Sequence, residues 1–182
     1  MSISYDCGGL LSSFDQCGKD KDLIIAGGSV VMCIVRFDDG QVRKLHSFRI
    51  KQKLDQQVAQ LAWNHVLQDD VIGMASPSGK LFELKITQDG GVIRRQLVDP
   101  EHQQTFQGSM TKRQISRVRF HPTEPMLFSS SHDGQIRGFD LREGCGLATR
   151  LPQVKPSENN TALPKCYDFQ VIVFPSIFEI MV

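Results

Sequence analysis

What most constrains this chain is a repeat. Short apolar runs recur along it, each closed by Gly, Asp, Ser or Pro. Leu23 to Ala26 ends at Gly27-Gly28, and Val30 to Val35 stops at Asp38-Asp39-Gly40. Val71 to Ala75 runs into Ser76-Pro77-Ser78-Gly79, and Leu81 to Ile86 stops at Asp89-Gly90-Gly91. Met126 to Phe128 leads through serines into Asp133-Gly134, and Ile136 to Leu141 follows. Runs of about 4–8 residues between such punctuators read as strands joined by tight turns. Asp-Gly suits a two-residue turn because both central residues take positive φ, which Gly reaches freely and Asp tolerates.

The runs align in units. In Ile115 to Arg142 a strand ends at Phe120 and His121-Pro122-Thr123-Glu124-Pro125 turns the chain. Pro122 fixes φ there and removes a donor. Met126 to Ser130 then meets Asp133-Gly134, and Gln135 to Leu141 follows. Val58 to Ile86 has the same order, with Trp63 for Phe120, Ser78-Gly79 for Asp133-Gly134, and Leu84-Lys85 for Phe139-Asp140. A first unit begins near Leu10 and places Gly28 at its hairpin turn. The turn glycines 28, 79 and 134 are then 51 and 55 residues apart. That exceeds the ~40–45 residues of a compact four-strand propeller blade. The surplus fits two polar loops, Arg49 to Gln57 and Asp99 to Arg113. Fourth strands are expected at Gln41 to Phe48, Val92 to Val98 and Leu147 to Leu151. Leu54, Val58, Leu61 and Ala62 fall near helical spacing, but the repeat makes Gln52 to Gln57 a loop and Val58 to Trp63 a strand.

Val118-Arg119-Phe120-His121-Pro122-Thr123-Glu124, Ser129-Ser130-Ser131-His132-Asp133-Gly134 and Phe139-Asp140-Leu141-Arg142 together resemble a WD40 repeat. Ile24 to Arg142 resembles, more narrowly, the N-terminal propeller of the RING-containing WD-repeat subunit of the GATOR/SEA complex, in GATOR subcomplex 2. The resemblance implies a scaffold within an amino-acid-sensing complex that regulates the TOR kinase at the lysosome. It implies other WD-repeat subunits as partners, and a cytoplasmic protein recruited peripherally to the lysosomal membrane. The RING domain and its zinc ligands have no counterpart in these residues. The repeat signature falls on Trp63, Gly79, Phe120, His121, Pro122, Ser130, Asp133, Gly134, Phe139 and Asp140.

The match has departures. Repeats of this family often join a His, a strand Ser, the turn Asp and the Trp of the WD pair in one hydrogen-bond network. Here Thr111 stands where the His would be and Phe139 where the Trp would be, leaving Ser129 or Ser130 and Asp133. In the second unit Ser78 replaces the Asp. Stability should then rest on packing of Ile115, Val118, Phe120, Leu127, Phe128, Ile136 and Phe139.

The expected fold is all-β, a partial WD40 propeller of about three four-stranded blades that does not close. The blades should cover approximately 10–48, 58–98 and 115–151, after an extension at 1–9 and before a loose segment and apolar tail at 152–182 that would make an aberrant or incomplete fourth blade. A propeller closes with ~4–8 blades. The chain is therefore expected to be a truncated form of a longer protein, with an altered 3′ end. Val171 to Val182 combines high β propensity with low charge, an aggregation signature that Pro175 and Glu179 blunt only partly; the alternative is that it pairs as an edge strand on the last blade.

Composition excludes several functions. Lys+Arg 21 against Asp+Glu 20 is too balanced for binding nucleic acid through bulk charge. Lys112, Arg113, Arg117 and Arg119 form a local basic cluster, but no aromatics share their strand face, so it reads as solvated. The five cysteines, Cys7, Cys17, Cys33, Cys145 and Cys166, are odd in number and lack C-x-x-C spacing. Free thiols fit better than a disulfide framework or zinc. Met1 to Leu11 is not a secretory signal, and Phe169 to Val182 is too short and interrupted for the ~20 residues of a membrane helix.

No catalytic constellation, metal site or cofactor site is expected, and no small-molecule substrate. His46, His65, His102, His121 and His132 have no nucleophile elbow to serve. Gly27-Gly28 lacks the dinucleotide fingerprint. The pairs Asp20/Asp22, Asp38/Asp39 and Asp69/Asp70 lack calcium-loop spacing and read as turn formers. Arg142 is the candidate partner-binding residue. Phe139 to Arg142 is similar to the WD-x-Arg string of WD40 substrate receptors of cullin-type ubiquitin ligases, with Phe in place of Trp. That gives an alternative function. The other reading of Asp140 and Arg142 is that they cap their own strand.

Overall fold

A computed structural model describes residues 6–50, 57–64, 70–87, 89, 91–97, 114–132, 134–142, 147–150, 170–174 and 177–181. Twelve strands form three antiparallel four-stranded meanders. Blade I contains Leu11–Gln16 (β1), Leu23–Gly28 (β2), Val31–Asp38 (β3) and Gln41–Arg49 (β4). Blade II contains Gln60–Trp63 (β5), Val71–Ala75 (β6), Leu81–Ile86 (β7) and Val92–Leu97 (β8). Blade III contains Ile115–Phe120 (β9), Met126–Ser131 (β10), Ile136–Asp140 (β11) and Leu147–Arg150 (β12). Gln170–Phe174 (β13) and Ile177–Met181 (β14) pair with each other as a separate hairpin. The alternative of an edge strand on the last blade is thus not what forms. The two strands pair in register from Gln170 opposite Met181 to Phe174 opposite Ile177.

The repeat recurs in the backbone hydrogen bonds. Cys17, Asn64 and His121 each donate a main-chain N–H to the first residue of the next strand, at 2.9, 3.0 and 2.9 Å. Phe37, Ile86 and Leu141 donate to Asp22, Asp70 and Pro125 at 2.8, 2.8 and 2.9 Å. Trp63 and Phe120 therefore occupy equivalent positions, as do Leu84 and Phe139. The β6–β7 and β10–β11 turns match as well. Gly79 N donates to Ser76 O and Gly134 N to Ser131 O, both at 3.0 Å, with φ of 79° and 78° at the two glycines. A side chain there would be strained. Blade I departs from this turn. Gly28 is the last residue of β2, opposite Leu11, and the chain reverses at Ser29-Val30 instead. The β3–β4 turn has the expected form, with φ 46° at Asp39 and 76° at Gly40.

Alternation along the strands builds two layers of core. β6 shows how, because its side chains point in turn to opposite faces. Ile72 and Met74 join Cys17, Ile25, Met32 and Ile34 of blade I, with Trp63 and Phe82. Val71 and Ala75 face the other way and join Val118, Phe120, Leu127 and Phe139 of blade III. All five β6 residues are buried, which explains its unbroken apolar sequence. All seven residues expected to hold blade III by packing are buried. Among the described residues no helix is long and apolar enough to cross a membrane.

The first strands β1, β5 and β9 lie side by side, so the blades fan out from a common inner edge. The pairing of β5 with β6 leaves the Leu61 and Trp63 amides pointing away from β6, where they need other acceptors. Blade I supplies them: Ser13 Oγ accepts from Leu61 N at 2.9 Å, and Asp15 Oδ2 from Trp63 N at 2.7 Å. Val58 N donates to Gly28 O at 2.9 Å beside them. Removing Asp15 orphans a buried amide and a charge-assisted bond. Asp15→Ala is expected to cost about 1.5–3 kcal/mol in urea unfolding, with Asp15→Asn recovering part of the loss. Equal losses in the two variants would show that the carboxylate's shape does not matter at this seam.

Candidate protein-interaction surface

The blades splay toward their outer strands. Between β4 and β8 this leaves an apolar wedge. One cavity of about 530 Å³ is lined by Leu23, Leu45, Trp63 and Ile86, with His46 and Asp70 as polar groups. A second of about 220 Å³ has Met32, Phe48, Met74 and Val92 below Arg49 and Arg94. His46 and Phe48 stack along the β4 wall, with ring centroids 6.2 Å apart at 19°. Arg94 lies over the Phe82 ring at 3.5 Å, a cation–π contact that fixes the opposite wall. Lys85 pairs with Asp70 at 3.6 Å. The wedge can take apolar side chains of an extended segment and offers a cationic rim at one end.

Other apolar groups stand in solvent. Leu10, Phe14 and Ile93 are 83%, 75% and 59% exposed. Phe14 lies opposite Ala26 in the β1–β2 ladder, so it sits on the face of blade I turned away from blade II.

The repeat signature serves the blades themselves. Trp63, Phe120 and Phe139 are buried between sheets, and Gly79 and Gly134 form the matched turns. His121 is buried; its Nδ1 accepts from the amides of Thr123 at 3.1 Å and Glu124 at 2.9 Å. Burial pushes its imidazole below the usual range, so the ring is neutral and shapes the turn that contains Pro122. Ser130 is fully buried, and among the described residues its Oγ finds no hydrogen-bond partner. Asp133 and Thr111 lie outside the described residues, as do His65, His102, Lys112, Arg113, Cys145 and Cys166. Arg117 and Arg119 are half-buried on the face of β9 opposite Val118 and Phe120.

Arg142 closes on its own strand. Asp140 Oδ1 accepts its amide at 2.9 Å, and Oδ2 accepts Nη2 at 2.9 Å, with Glu124 at 3.8 Å. The hydrogen bonds from Arg142 hold the Asp140 carboxyl below the usual carboxylate range. The guanidinium remains 58% exposed, so the pair is a surface one and contributes little to stability, below about 1 kcal/mol. Sequence reasoning missed Ser13, Asp15, His46 and Arg94. Polar residues in strands read as solvent-facing; Ser13 and Asp15 instead bond amides of another blade, and His46 and Arg94 stack on aromatics of their own sheets. No group of three or more His, Cys, Asp or Glu able to hold a metal occurs among the described residues.

The described strands make three blades of a β-propeller, the fold of known WD40 structures. Solved structures agree. The β-propeller domain of Myceliophteria thermophila Cps50 (Swd1) superposes with a TM-score of 0.64 at 10% identity, covering 88% of this chain and 45% of that one. The RRP9 WD40 repeats give 0.55 at 14% identity, covering 78% and 38%. No family model matches the chain. By sequence the chain is similar to the GATOR2 complex protein WDR24: 28% identical to that of Danio rerio, 29% to that of Xenopus laevis and 26% to that of Homo sapiens, each over 141 residues and 76% of this chain. The chain spans 16–17% of the length of these relatives.

Proposed function

We propose that the chain is a protein-interaction scaffold of a GATOR2-type, amino-acid-sensing complex that regulates TOR complex signalling at the lysosome. The similarity to the GATOR2 complex protein WDR24 over 141 residues carries this reading. The blades support it, because their functional capacity lies in faces and wedges rather than in a pocket of converging reactive groups. Residues 10–151 are the interaction region, and other WD-repeat subunits are the partners. The chain works in the cytoplasm and reaches the lysosomal membrane through them.

The test is affinity purification of the tagged chain from its own cells, with mass spectrometry of what co-purifies, repeated with Arg142→Glu. The fold tolerates that variant, since the Asp140 pair is exposed. Recovery of WD-repeat GATOR2 subunits, reduced less than twofold by Arg142→Glu, is expected. Recovery of a cullin adaptor that Arg142→Glu abolishes would overturn the scaffold reading in favour of a ligase receptor.

A further inference from the structure

Two cysteines distant in sequence meet on the face of blade I turned away from blade II. Cys33, in β3, is fully buried beside Ala26 and Val35, and Cys7 packs half-buried against the same cluster. Their sulfurs are 3.0 Å apart, with the Cys33 thiol donating to Cys7. A disulfide needs about 2.04 Å, so closing it takes a shift of roughly 1 Å with the thiols already facing each other. The approach is fixed at both ends. Cys33 is pinned between β2 and β4 by its ladders. Asp6 Oδ1 accepts Gly8 N at 2.8 Å, and Gly9 lies against Val30. Cys17 lies in the core between blades I and II, on the far side of the sheet.

We propose that Cys7 and Cys33 form a peroxide-sensitive disulfide that locks the segment before β1 onto blade I. Cys7 is the attacking sulfur because it is the more accessible. Burial, the hydrogen bond to Cys7 and the charge on Cys7 push the Cys33 thiol up to about 12, against the opposing pull of Lys44, so Cys33 keeps its proton. The Cys7 sulfur gives up its proton as it attacks a peroxide oxygen, the O–O bond breaks, and the leaving hydroxide takes up that proton as water. Cys7 is then a sulfenic acid. The Cys33 sulfur attacks it, the S–O bond breaks, and hydroxide leaves with the Cys33 proton as a second water. The two sulfurs lose two electrons, and the peroxide gains them.

The experiment uses the full chain, reduced and then treated with hydrogen peroxide. Free thiols are blocked with N-ethylmaleimide, and the protein is digested without reductant for mass spectrometry. The expected product is a Cys7–Cys33 cross-linked peptide at least tenfold above any other cysteine pairing. Tm should rise by roughly 5–15 °C, reversibly with dithiothreitol. Cys7→Ser should remove both effects. The same oxidation in urea should lose the preference, because the proximity comes from the fold. Mixed pairing under native conditions, alkylation of both cysteines after peroxide, or an equal preference in urea would each overturn the proposal.

Discussion

Trp63→Ala is expected to remove about 3–5 kcal/mol of stability, lowering Tm by roughly 10 °C. Trp63 ends β5 at 2% exposure, in a cluster drawn from both blade I and blade II. Truncation removes the largest side chain at that seam. It also joins the vacated space to the 530 Å³ cavity that Trp63 already lines, so water can enter and the core cannot collapse. The main-chain bond to Asp15 survives, so the loss comes from the side chain and not from that bond. Trp63→Phe should cost under about 1.5 kcal/mol, since Phe120 fills the equivalent place in blade III. Urea unfolding measures both. A loss below about 1 kcal/mol for the Ala variant would mean that the seam is held by Ser13 and Asp15 rather than by the aromatic.

Leu127→Ala should be nearly as damaging, at about 2–5 kcal/mol, and its damage should depend on Gly73. Leu127 is fully buried between blades II and III. A Cβ on Gly73 would stand 2.7 Å from Leu127 Cδ1 and 3.0 Å from Cδ2. Gly73→Ala alone therefore overpacks the seam, at about 1–3 kcal/mol. In the double variant the new methyl occupies the space that the lost leucine carbons leave. The double variant should be more stable than the sum of the single losses by about 1 kcal/mol or more. Additive losses would show that the two blades do not interlock at Gly73.

Strands that alternate or are buried on both faces were legible residue by residue. Val71 to Ala75, Leu81 to Ile86 and Ile115 to Phe120 stand where their apolar runs place them. β1 was not, because Leu11–Gln16 has a mostly exposed face and a polar sequence. β5 begins at Gln60 rather than Val58, since the Val58 amide goes to Gly28 of the neighbouring blade. Gly28 misled for a related reason. A glycine at a strand end marks close approach as readily as a turn, and here a Cβ would meet the Leu10 carbonyl oxygen. Trp63, Phe120 and Phe139 are buried and Gly79 and Gly134 take positive φ, features of a blade's own core and turns that sequence can carry. The wedge between β4 and β8 and the meeting of Cys7 with Cys33 depend on which blades adjoin, and spacing within one chain carries no record of that.

Every blade strand pairs with its neighbour in sequence, and each sheet is completed before the next begins. Contacts within a blade are therefore short-range, and the entropy lost in closing each hairpin is small. A ribosome releasing this chain from its N-terminus would emit finished sheets one after another. Each newcomer would dock on a template already in place. Blade I would present the Ser13 and Asp15 side chains as the first fixed points on which β5 could align.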